Sequence, residues 1–130
     1  MLIDQAIGYA FMIKIKRVYE APEPDDGHRF LVDRIWPRGV KKSSLKMERW
    51  FKNIAPSDTL RHWFGHDSAR WEEFKRRYFI ELDSKSEIVQ EILLLARKET
   101  VTFLFSASDV QHNNAFALRE YLIKLLDQVS

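Results

Sequence analysis

HRFLVDRIWPRG, His28 to Gly39, is the stretch whose reading decides the fold. Phe30, Leu31, Val32 and Ile35 make an apolar run of strand length, dense enough for a strand near a sheet centre. Pro37 and Gly39 then break it into a turn that carries Arg34 and Arg38, with Asp33 as a carboxylate at the strand end and Trp36 as an aromatic plug. A second run, VTFLFSA from Val101 to Ala107, is apolar throughout and reads as a central strand covered on both faces. Several helical patterns separate the two. A strand that passes through helices and returns to a strand is a right-handed crossover, so the two should be parallel neighbours. The fold class is therefore α/β: a single-domain layered fold with a small, mainly parallel sheet packed by helices.

Upstream, MIKIKRV over 12–18 alternates Ile13 and Ile15 with Lys14 and Lys16, the period of an edge strand with its cations outward. EAPEPDDG, with Pro22, Pro24, Gly27 and four carboxylates, reads as a solvated acidic loop. Metal binding by Asp25 and Asp26 lacks a supporting spacing. Residues 1–11 read as an N-terminal extension, expected to be disordered, ahead of one domain over 12–130; Met12 is an alternative start.

Downstream, Ser44 to Ile54 is predicted helical. Ser57 is a good N-cap for a short helix through Phe64, stopped by Gly65. Asp67 caps the next helix, whose stripe is Trp71, Phe74, Tyr78 and Leu82, with Glu72–Arg76 and Glu73–Arg77 as outer pairs. Ser84 and Glu87 form a capping box for a helix carrying Ile88, Val89, Ile92, Leu93 and Leu95 to about Arg97. The final helix starts near Asn114 and buries Ala115, Leu118, Leu122 and Leu125.

Composition narrows the function classes. A chain of 130 residues with 45% hydrophobic and 13% aromatic content can build a real core. The absence of cysteine excludes a disulfide framework, a thiolate metal site and a cysteine nucleophile, and suits a cytoplasmic protein. The apolar start, MLIDQAIGYAFM, is too short to span a membrane and carries Asp4 where a signal peptide wants positive charge. Between Arg34 and Lys52 stand seven cations against the single carboxylate Glu48, a net charge of +6, while the remainder carries −4. This segment is either a solvated face or a surface for nucleic acid or another anion.

In an open parallel sheet, ligands bind outside the carboxyl ends of the strands. Two loops meet that description, 33–39 and 106–114. Arg34 and Arg38 offer planar bidentate donors there. Gly39, Ser106, Ser108, Asn113 and the first N–H groups of the last helix complete an anion site suited to a phosphate or carboxylate. His112 is the candidate general acid or base, with Asp33 or Asp109 to fix its tautomer. Each has a plainer use: Asp33 as partner of Arg34 or Arg38, and Ser108, Asp109 or Asn113 as helix caps. His62 and His66 have a metal-like spacing, but Gly65 interrupts their helix and no third ligand is evident, so no metal or other cofactor is expected. With Arg61 they form another cationic rim. No glycine-rich phosphate loop and no serine elbow is present.

RVYE, DDGHRFLVDRIWPRGV, WFKNIAPSDTLRHWFGHD, RWEEFKRRYFIEL and SASDVQHNNAFALREYL together resemble the YeaO-like family, small bacterial and archaeal proteins grouped as a domain of unknown function. The resemblance runs from about Met12 to Leu126. It implies a compact cytoplasmic α/β domain and no established activity, and its characteristic segments fall on the two loops and on Arg61 to His66. The functional expectation is a small enzyme or binding domain for an anionic, phosphate-bearing ligand. A nucleic-acid module using 34–52 is the alternative, and a structural or protein-interaction domain the third; the oligomeric state stays open.

Overall fold

The computed structural model describes residues 12–129, and the proposed N-terminal extension lies outside the described residues. Four strands, β1 (Ile13–Arg17), β2 (His28–Leu31), β3 (Arg49–Trp50) and β4 (Val101–Phe105), form one sheet in the order β1-β4-β2-β3. Every pairing is parallel. The helices are α1 (Asp58–Phe64), α2 (Trp71–Asp83), α3 (Ser86–Ala96) and α4 (Asn114–Val129). The protein is an α/β fold, and β2 and β4 are the parallel neighbours that the apolar runs imply, with Phe30 opposite Phe103 and Leu31 opposite Leu104.

Alternation along the strands sorts the two faces. Ile13, Phe30, Val32, Val101, Phe103 and Phe105 face the helices, where they meet Phe74, Tyr78, Leu82, Ile92, Leu93, Leu118 and Leu122 in the main core. Val18, Leu31 and Leu104 face the other way, under Trp36, Val40, Leu45, Met47 and Trp50. That second cover is loop, not helix. The connection 18–27 also crosses this face, where the Thr102 hydroxyl donates to the Asp26 carbonyl at 2.6 Å. Two connections therefore step one way across the loop-covered face, and the helical connection returns across the opposite face. All three share one hand, as the crossover rule requires.

Several local expectations are corrected. Residues 44–54 are not helical: they hold turns, β3 and a 3-10 turn over Lys52–Ile54, because Trp50 is drawn onto the sheet beside Leu31. The cations of β1 are not both outward, and the acidic loop is not simply solvated. Asp26 is 1% exposed and Lys16 and Arg29 are 8% exposed. Lys16 Nζ reaches Asp26 at 3.1 Å and Glu23 at 2.7 Å, and Arg29 also pairs with Asp26. Burial pushes the Asp26 carboxyl up, but the Glu23 N–H and the two cations outweigh it and hold it below its ordinary value. Ser84 is not a box cap either; it closes α2 by donating to the Glu81 carbonyl at 2.7 Å, and α3 begins after Lys85 without a side-chain cap. On α2, Glu73 takes both Arg76 and Arg77, while Glu72 pairs with Lys75. The buried stripe of Trp71, Phe74, Tyr78 and Leu82 stands as expected.

A cationic cleft at the carboxyl ends of the strands

Beyond Leu31 the chain keeps pairing for one more residue, Val32 N–H donating to the Leu104 carbonyl at 3.1 Å, and then leaves the sheet. This delivers Asp33 to the end of β4. There its carboxylate accepts from the Ser106 N–H at 3.0 Å, the Ser106 hydroxyl at 2.8 Å and the Asn114 amide at 3.1 Å. Burial raises the Asp33 pKa; the Ser106 and Asn114 hydrogen bonds and the nearby His66 oppose that rise without reversing it. Asp33 therefore does not pair with Arg34, Arg38 or His112. It ties the end of β2 to the end of β4 and the start of α4.

The loops past these ends enclose a cleft of about 600 Å3. Asp33, Arg34, Ile35, Trp36, Pro37 and Arg38 form one wall, Ser106, Ala107, His112, Asn113 and Asn114 the second, and Pro56, Arg61, His62, Phe64 and His66 the third. The third wall is built by a short helix seated on α2. The Ser57 hydroxyl oxygen caps α1 through the Leu60 N–H at 3.1 Å, and Glu81 of α2 accepts from both the N–H and the hydroxyl of Ser57. Gly65 ends α1 in the left-handed region, and His66 follows at φ 58°. A non-glycine residue held there is strained, a condition that clusters at functional sites. The two consecutive left-handed residues also take His62 and His66 off a common helix face.

Arg34 donates from Nε to the Pro56 carbonyl at 2.7 Å and from Nη2 to the Ala55 carbonyl at 3.4 Å, and the carboxylate oxygen Asp58 Oδ1 is 4.0 Å away. Its charge is anchored by carbonyls but scarcely neutralised. Arg61 Nη2 approaches the same Oδ1 at 3.4 Å, while Arg61 Nε is buried with no hydrogen-bond partner among the described residues. Arg38 is exposed; its carbonyl accepts from the Tyr19 hydroxyl at 3.1 Å.

His112 lies edge-on to Trp71, with ring centroids 5.3 Å apart, and its Nδ1 meets Asp109 Oδ2 at 2.9 Å. Asp109 also accepts from the N–H groups of Gln111 and His112. The His112 hydrogen bond is the main cause of its lowered pKa. Asp109, and not Asp33, is thus the group that orients His112. Asn113 is buried and capping: its Oδ1 accepts from Phe116 N–H at 2.8 Å. Of the anticipated ligand-binding residues, Arg34, Arg38, Ser106 and Asn113 line the cleft, whereas Gly39 and Ser108 do not. Arg61, His62 and His66, which in sequence form a separate cationic rim, are part of the same cleft in the fold. Asn114, expected only as the start of the last helix, also belongs to the site, through a contact to Asp33 that spans 81 residues.

Among the described residues, Glu23, Asp25 and Asp26 stand close enough together to hold an ion, but Lys16 and Arg29 already occupy Asp26 and Lys16 occupies Glu23. No helix among the described residues is long and apolar enough to cross a membrane.

These features define a small parallel α/β domain with a cation-lined cleft outside the strand ends. The chain belongs to the YeaO-like DUF488 family: residues 12–130 match the family model described as the inactive DUF488-N3 subclade. It is 38% identical to the uncharacterized protein YeaO of Escherichia coli K12 over 113 residues, 87% of this chain and 98% of that one. It is equally identical, over 110 residues, to the uncharacterized proteins Rv3073c of Mycobacterium tuberculosis H37Rv and Mb3100c of Mycobacterium bovis, covering 85% of this chain and 92% of each of theirs. No solved structure matches the chain.

Proposed function

We propose that this protein is a cytoplasmic binding domain for a small phosphate-bearing anion, held in the cleft without being turned over. The carrying observation is that Arg34 and Arg61 share one distant carboxylate oxygen, and that Arg61 keeps a buried, unpartnered N–H. A buried donor without an acceptor destabilises the fold by about 1–3 kcal/mol, and the Arg34 and Arg61 charges, neither with a close carboxylate, are what an anion in the cleft would pair. Guanidinium forks suit phosphate geometry, and the carboxylate on the cleft floor, Asp33, is already engaged by Ser106 and Asn114. The description "inactive" attached to the family model favours binding over catalysis. His112, steadied by Asp109, then acts as a hydrogen-bond donor to the ligand.

Thermal denaturation with and without inorganic phosphate tests this. Phosphate at a hundred times its dissociation constant should add about 2.7 kcal/mol, several degrees for a domain of this size. Arg61→Gln and Arg38→Ala should each diminish the shift while the unliganded protein stays folded. No shift at any phosphate concentration, or an undiminished shift in both variants, refutes the proposal.

One observation favours a nucleic-acid surface as a second reading. Lys42 and Lys52 sit over the rings of Trp36 and Trp50, at 5.8 and 5.3 Å, on an exposed basic segment. Binding of single-stranded oligonucleotides that weakens steeply with salt would support it. Absence of binding at low salt would refute it.

A further inference from the structure

Resting on the anion-binding reading, we infer that the ligand is a nucleoside monophosphate: its phosphate lies between Arg34 and Arg61, where Asp58 Oδ1 now stands, and its base lies against Trp36. Two parts of the cleft lining differ in chemistry: the Arg34–Arg61 pair, with Asp58 Oδ1 beside it, and the segment at Trp36. Asp58 Oδ1 is 4.0 Å from Arg34 Nε and 3.4 Å from Arg61 Nη2, both longer than the 2.7–2.9 Å of a charge-assisted hydrogen bond. An anionic oxygen is thus drawn between two guanidiniums without bonding well to either. The Asp58 side chain is 63% exposed and free to swing away. A phosphate, with three terminal oxygens, reaches both forks at once.

Between Arg34 and Arg38 the same wall is apolar. Ile35 is 55% exposed, and Trp36 and Pro37 continue the wall. The Trp36 ring is fixed in place, its Nε1–H donating to the Val40 carbonyl at 2.6 Å and its edge packed on Trp50 with centroids 5.4 Å apart. This fixed, partly exposed aromatic offers apolar surface to a planar ring at little ordering cost on binding. The cleft volume of about 600 Å3 lies within the range of sites for drug-sized ligands, far more room than an inorganic anion fills. An anion with a flat apolar body satisfies both parts.

Isothermal titration of the full chain with AMP, ribose 5-phosphate, inorganic phosphate and adenosine tests this. AMP should bind roughly tenfold or more tighter than ribose 5-phosphate, the usual increment for a base stacked on an aromatic side chain, and adenosine should bind weakly. Asp58→Asn should strengthen AMP binding roughly two- to fivefold by removing the competing charge, and Arg61→Gln should weaken it. A 5′-phosphorylated dinucleotide that binds as tightly as AMP would assign the same chemistry to a strand end; a weaker one would assign it to the free nucleotide. If ribose 5-phosphate or phosphate matches AMP, the base platform is refuted while the anion site survives. If adenosine matches AMP, or Asp58→Asn weakens binding, the phosphate position is wrong. If none of the phosphates binds, the anion-binding reading falls as well.

Discussion

Replacing Asp26 by asparagine probes the buried charge cluster that the acidic loop conceals. Asp26 is 1% exposed and stands between Lys16 and Arg29, both 8% exposed, on the sheet face without helices. The amide keeps a carbonyl acceptor but no charge. Lys16 retains Glu23 at 2.7 Å and the Ala21 carbonyl at 2.9 Å, and Arg29 retains the Lys46 carbonyl at 2.6 Å. Breaking a buried pair by removing one partner costs about 3–5 kcal/mol, and these surviving acceptors place Asp26→Asn near about 3. For a domain of this length that is roughly 10 °C in Tm, read by circular dichroism on heating. The neighbouring Asp25→Asn is the control: its side chain is 75% exposed and its pair with Lys14 lies at the surface, so less than about 1 kcal/mol should be lost. The pH dependence gives a second reading. Because the Asp26 pKa is lowered in the fold, its stabilisation is complete above the ordinary carboxyl value of 3.8 and is lost as pH falls through the lower folded value. Wild type and Asp26→Asn should therefore converge in acid. An Asp26→Asn loss no larger than that of Asp25→Asn, or a gap that does not narrow in acid, would refute the buried-cluster argument.

Other expectations follow from single contacts. His28 lies between Glu48 and Glu99; the Glu99 hydrogen bond raises its pKa most, burial opposes that, and Glu48 adds to the rise. Its stabilisation should be full below the ordinary value of 6.5 and lost as pH rises through the folded value, so the Tm of His28→Gln, scanned from acid to mildly alkaline pH, should lack that decline. A Cβ at Gly27 would stand 2.2 Å from the Thr100 carbonyl oxygen at φ 63°, so Gly27→Ala should prevent normal folding. Gly65→Ala meets nothing closer than 3.5 Å and should lose only about 1–2 kcal/mol of stability, the left-handed strain it acquires, in urea denaturation. Tyr78→Phe removes a buried hydroxyl that donates to the Ile54 carbonyl at 2.7 Å; about 1–3 kcal/mol should disappear, measured the same way.

The parallel pairing of β2 with β4 was legible because an unbroken apolar run, such as Val101 to Phe105, suits only a strand buried on both faces. The α2 stripe was legible because helical periodicity depends on local spacing alone. What covers the second face of β4 was not. Helices were expected, yet Leu104 is buried under Trp36, Val40, Leu45 and Met47, a set with no single period. The same absence of period made 44–54 look like a weak helix, when β3 needs only Arg49 and Trp50 to reach Phe30 and Leu31. In the cleft, the two loops could be placed from the strand ends. Their meeting with Arg61 and His66 depends on how α1 seats on α2, which rests on Ser57 and Glu81, residues 24 apart with nothing local to link them.

The loop that covers the second face is also the loop that supplies the cleft wall, and this joins stability to binding. Trp36 packs against Trp50 and over the Leu31–Leu104 layer, yet it lines the cleft beside Arg34 and Arg38. Asp33, one step from the end of β2, is held by Ser106 and Asn114, and its backbone carbonyl accepts from the Trp50 indole at 2.6 Å. The cleft wall is thus fixed at one end by the strand termini and at the other by an aromatic pair that belongs to the core. A site mounted this way is preorganised, since its side chains need little further ordering when a ligand arrives. It also cannot be moved without loosening the second face. Arg34 extends the same mounting to the third wall, since its Nε donates to the Pro56 carbonyl at 2.7 Å, so its charge and its structural tie cannot be removed separately.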